Sequence, residues 1–160
     1  MDNFIISSLV NWLHLMATVA WIGGMVTNFT LVLPSMAKAL DPPTAGKFMG
    51  IMMKKYRVMV YLAIVVLILT GFAIAGGDEE FGEYFDFSKE SSTFFAIKHI
   101  MVLLMVVLTI LAFEVVGPRV AKVAAAGPSP KLAAMQAQQK TLGMIGLIIG
   151  MVIVLLSAMM

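Results

Sequence analysis

Four long apolar runs alternate with short polar stretches along the chain, at residues 4–33, 58–76, 93–116 and 141–160. Each is about as long as the 20 residues of helix that cross a bilayer's hydrocarbon, or longer. Helical spacing is visible inside the first run. Asn11, His14, Thr18, Trp21, Met25 and Asn28 follow one another at intervals of three or four and so form one stripe. Its polar members are costly against lipid, so the stripe is expected to face an interior. Gly23 and Gly24 remove bulk beside it, which suits either close helix packing or a flat cofactor.

Punctuation extends the helices beyond these runs. Asp41 before Pro42-Pro43 reads as an N-cap followed by first-turn prolines. Met49, Met52, Met53 and Tyr56 then fall at helical spacing, so the second helix starts well before its apolar run. The stretch GPSP at 127–130 separates the last two helices, with Ser129 and Pro130 placed to start the fourth. In that helix Gly143, Gly146, Gly150 and Ser157 lie on or near one face, a contact surface within the bundle or across a homodimer. The expected fold is all-α: a single antiparallel four-helix transmembrane bundle over residues 1–160.

Composition agrees with this. Of 160 residues, 61% are hydrophobic and 12% charged, about half the charge of a soluble domain, and the mean hydropathy is +0.98. The lipid bilayer is the first partner implied. There is no cysteine, which excludes disulfides and thiolate chemistry. The net charge of +2 does not indicate nucleic acid, because the cations are sorted by loop. Residues 38–57 carry Lys38, Lys47, Lys54, Lys55 and Arg57 against Asp41 alone, and residues 119–140 carry Arg119, Lys122, Lys131 and Lys140 with no acid. The stretch at 76–92 holds six acids and one lysine. The positive-inside rule then predicts a multi-pass protein of the cytoplasmic membrane with both termini outside. The first run is too long for a cleavable signal peptide and has no basic start.

The chain has two histidines, His14 and His99. Counted from the outer face they lie roughly 15 and 9 Å deep, given 1.5 Å per residue, and boundary error makes these depths equivalent. Packed neighbouring helices are 8–10 Å apart, so diagonal ones are separated by about 11–14 Å. That gap suits two imidazoles with a flat metal macrocycle between them. Haem b held axially by His14 and His99 is the sharp hypothesis; the alternative is that each ring hydrogen-bonds a neighbouring helix. Thr18 and Trp21 would shape the pocket. Lys98 would pair with haem propionates, or else snorkel to the interface. Glu114 is the one acid inside a span. Fifteen methionines invite a copper reading through His14, Met16 and Met25, but their scatter also fits core filler.

The segment LHLMATVAWIGGM, with histidine seven residues before tryptophan and then a glycine pair, resembles the first helix of copper-resistance protein D (CopD) membrane domains. It is also similar to the first helix of HemJ-type protoporphyrinogen oxidases. RVMVYLAIVVLILTGF, AIKHIMVLLMVVL and VVGPR continue the CopD-like pattern over roughly residues 9–120. The HemJ resemblance implies a b-type haem with functional positions at His14 and Lys98; the Asn-Glu-x-Pro and Lys-Pro elements of that family's fourth helix are absent here. CopD resemblance implies copper uptake. Three readings follow: a b-haem protein handling electrons or oxidising a quinol or porphyrinogen, a copper permease, and a cofactor-free subunit of a larger complex. No catalytic residue is assigned by the sequence.

Overall fold

The computed structural model describes residues 2–76 and 90–159. Four long helices account for nearly all of them: α1 (Phe4–Ala39), α2 (Pro42–Gly76), α3 (Phe95–Ala124, continuing from Glu90) and α4 (Pro130–Ala158). The fold is all-α, with antiparallel packing of long apolar helices, a candidate membrane four-helix bundle. Two compact units make it up, residues 1–96 and residues 97–160. The first is the hairpin of α1 and α2. The second pairs the body of α3 with α4.

The chain is a multi-pass integral membrane protein, and its surface says why. Phe72 is 75% exposed, Ile100 66% and Leu155 61%. Soluble monomers rarely expose contiguous apolar patches beyond a few hundred Å², whereas here each helix offers one along its length. At 36 residues α1 is about 54 Å long, well beyond the hydrocarbon thickness of about 30 Å. Its ends therefore stand clear of the core of the membrane.

Both helix starts expected from sequence are present. The backbone N–H of Thr44 donates to Asp41 Oδ2 at 3.1 Å, and Ala45 N–H to Asp41 O at 2.9 Å. The Thr44 backbone bond foremost, and the Thr44 side chain after it, hold the exposed Asp41 carboxyl below its ordinary pKa. A depressed carboxylate favours the fold above its unfolded pKa, and the capping contribution is lost as pH falls through the folded value. Ser129 accepts from Leu132 N–H at 3.1 Å, with Pro130 in the first turn of α4. Gly127, at φ +99°, makes the left-handed turn before it.

The first and third helices run further than the apolar runs ending at 33 and 116. Each continues through a proline, Pro34 and Pro118, because a wide π turn precedes it: Asn28–Val32 in α1 and Leu111–Val116 in α3. Proline supplies no N–H to the carbonyl four residues back, and its ring crowds that carbonyl. The i→i+5 pattern absorbs both effects without ending the helix. A further π turn, Val19–Gly23, sits in the middle of α1. Thr18 leads into it, its hydroxyl donating back to His14 O at 2.9 Å, a bond that loosens helical pairing locally.

Candidate cofactor site

The polar stripe of α1 turns toward α2 over most of its length. Trp21 is 4% exposed and Met25 9%; His14, Thr18 and Asn28 are half-buried, and Asn11 alone is exposed. Opposite His14 stands Thr70, 6% exposed, with Oγ1 2.8 Å from His14 Nδ1, so His14 makes the bond to a neighbouring helix that the alternative to a haem ligand expects. Thr70 Oγ1 also lies 2.6 Å from Val66 O. A hydroxyl has one proton, and the short bond to the carbonyl takes it. Toward the imidazole Thr70 is therefore the acceptor and Nδ1 carries the hydrogen. In the neutral ring that leaves the lone pair on Nε2. Gly71 completes the seat: a Cβ there would stand 3.9 Å from His14 Cε1, so the ring edge lies against bare backbone.

A second cross-helix bond sets the register one step further in. Tyr56 Oη donates to Trp21 O at 3.0 Å, a carbonyl within the π turn. The tyrosine ring can reach it because residue 24 is glycine. A Cβ at Gly24 would meet Tyr56 Cε2 at 2.5 Å, whereas one at Gly23 would meet only Val19 Cγ1 at 3.9 Å. Deeper still, Asn28 Oδ1 is buried with no hydrogen-bond partner among the described residues.

The structure thus brings His14, Thr18 and Trp21 onto one face of α1, against α2. Lys98 and His99 are successive residues of α3 in the second unit, Lys98 half-buried and His99 exposed. Met16 is 40% exposed, in contrast to buried Met25. Among the described residues no group of three or more histidine or carboxylate side chains is gathered for a metal ion. Thr70, and the bond of Tyr56 to Trp21 O, are the cross-helix contacts of this face that the sequence pattern did not assign to it. The available signal was Thr70's isolation in an apolar stretch, six residues from the end of α2, near the depth of His14.

Residues 16–129 match the model of a family described as a domain of unknown function, DUF4149. The chain belongs to the DUF4149 family. The match lends no support to the CopD or HemJ naming that the first helix resembles. No curated protein and no solved structure matches the chain. The matched stretch contains Thr18, Trp21, Gly24, Tyr56, Thr70, Lys98 and His99, and starts two residues beyond His14.

Proposed function

We propose that the protein binds haem b in the membrane through His14 and His99, and that it handles electrons or oxidises a membrane-soluble reductant such as a quinol or porphyrinogen. One observation carries the reading. Thr70 fixes the tautomer and the plane of the His14 ring, as the hydrogen-bond partners of metal-binding imidazoles do. The donor chemistry fits the group: a neutral imidazole with its lone pair at Nε2 is an axial haem ligand.

In this reading His14 would hold the iron, and Thr70 holds His14 in orientation. Thr18, Trp21 and Gly71 shape the space around the ring. His99 would supply the second imidazole, and Lys98 would take a propionate. Bound haem would supply reversible one-electron chemistry. The apolar walls of α1 and α2 would keep water from His14, and the Thr70 bond would hold the Nδ1 proton in place.

The test is an absorption spectrum of protein purified in mild detergent, oxidised and reduced. The wild type should show a reducible Soret and α-band with about one haem per chain. His14→Ala and His99→Ala should each give a five-coordinate, carbon monoxide-binding form, and the double variant should retain no haem. Thr70→Val should keep haem but shift its reduction potential, because the imidazole loses its partner; loss of the group that holds a ligating histidine commonly costs about 10–100-fold in metal affinity. Copper without haem would favour permease activity, and spectra indifferent to both histidines would overturn the proposal.

A further inference from the structure

We infer that the second unit carries a binding site for a phosphate-bearing anion, supplied by the headgroup of an anionic membrane phospholipid. The site is an open cleft of about 720 Å³ where the end of α3 meets the start of α4. Arg119 and Lys122 line it from α3 and Lys131 from α4. All three are exposed. From Val115 to Met160 the sequence contains no aspartate or glutamate, so no acid of this segment competes for them. Topological sorting requires only that cations lie on one side of the membrane. It does not require three of them, from two helices, to converge on one cleft.

The remaining lining identifies the ligand class. Val123 and Met135, both half-buried, put apolar surface beside the cations. Arg119 follows the apolar run of α3 by three residues and Lys131 precedes that of α4 by ten, so the cleft starts at the level where hydrocarbon gives way to headgroups and opens outward for about 15 Å along α4. A soluble phosphate needs charge alone. A phospholipid needs charge with apolar surface at the interface, and basic pockets at membrane helix ends bind anionic headgroups. Arg119 brings a planar fork suited to two phosphate oxygens, and the lysines bring point charges.

The experiment uses the full-length protein in nanodiscs of phosphatidylcholine, alone or with added phosphatidylglycerol, and reads bound lipid by native mass spectrometry after release. Three proteins are compared: wild type, the triple variant Arg119→Gln, Lys122→Gln, Lys131→Gln, and a control, Lys38→Gln, Lys47→Gln, Lys54→Gln. Both variants lose three positive charges. Wild type and control should retain phosphatidylglycerol in preference to phosphatidylcholine, and the triple variant should lose at least about tenfold of that preference. The conservative pair Lys122→Arg, Lys131→Arg should keep it. Single Gln substitutions provide the same reading if the triple variant does not fold, each lowering the preference severalfold. Inorganic phosphate is titrated in parallel. If it binds the cleft in neutral nanodiscs while phosphatidylglycerol is not preferred, the ligand is a soluble phosphate and the lipid assignment is wrong. Equal loss in the triple variant and the control, or no preference in wild type, would overturn the site.

Discussion

Gly23 and Gly24 are neighbours in the sequence and have different duties. At Gly24 a methyl group would run into the ring of Tyr56, which is rigid and tied to Trp21 O by its hydroxyl. Gly24→Ala should therefore cost about 1–3 kcal/mol, as overpacking does, and lower the thermal midpoint in detergent. Gly23→Ala meets only ordinary contact and should stay within about 0.5 kcal/mol of wild type. Equal midpoints for the two variants would mean that the tyrosine ring does not fix the α1–α2 contact. The stripe carrying His14, Thr18 and Trp21 was legible at this scale, because helical periodicity groups residues of one helix. Thr70 was not. Its partner lies 56 positions away, and a lone threonine in an apolar run looks the same whether it bonds its own helix or an imidazole. The glycine pair was noticed, but only the cross-helix distances tell which member is required.

Among the elements, the helix starts at Asp41 and Ser129 were readable because caps are local: a side-chain acceptor, then proline, then an apolar run. The C-terminal ends of α1 and α3 were not. Proline ordinarily stops a helix, and nothing in the sequence announces that a π turn will carry the chain through Pro34 and Pro118. The small face of α4 has a clearer standing. Gly146 and Gly150 are buried within the chain, as is Ile153, so leucine at either glycine enters covered space. Gly146→Leu and Gly150→Leu should each lower the thermal midpoint, by about 1–3 kcal/mol on the same overpacking scale. Unchanged midpoints with an altered oligomer size on a sizing column would instead place this face between protomers.

For the whole molecule, the four spans and the all-α class were written in the hydropathy, because lipid tolerates little else. The loop charges predict an orientation. With the termini outside, Ser92→Cys should react with an impermeant maleimide in intact cells, and Gly46→Cys only after lysis; a Cβ at Gly46 meets nothing within 4 Å. The reverse pattern would move His14 to the cytoplasmic half of the membrane and the basic cleft to the outside.

The central claim concerns the ligands, and one measurement addresses it directly. Near-infrared magnetic circular dichroism of the purified ferric protein reports, through its charge-transfer band, which pair of side chains holds the iron. With His14 and His99 as ligands, the band should be that of a bis-imidazole haem, and it should vanish with either histidine. A histidine–amine band that disappears in Lys98→Ala and survives His99→Ala would contradict the account, as would a protein that purifies with no haem at all.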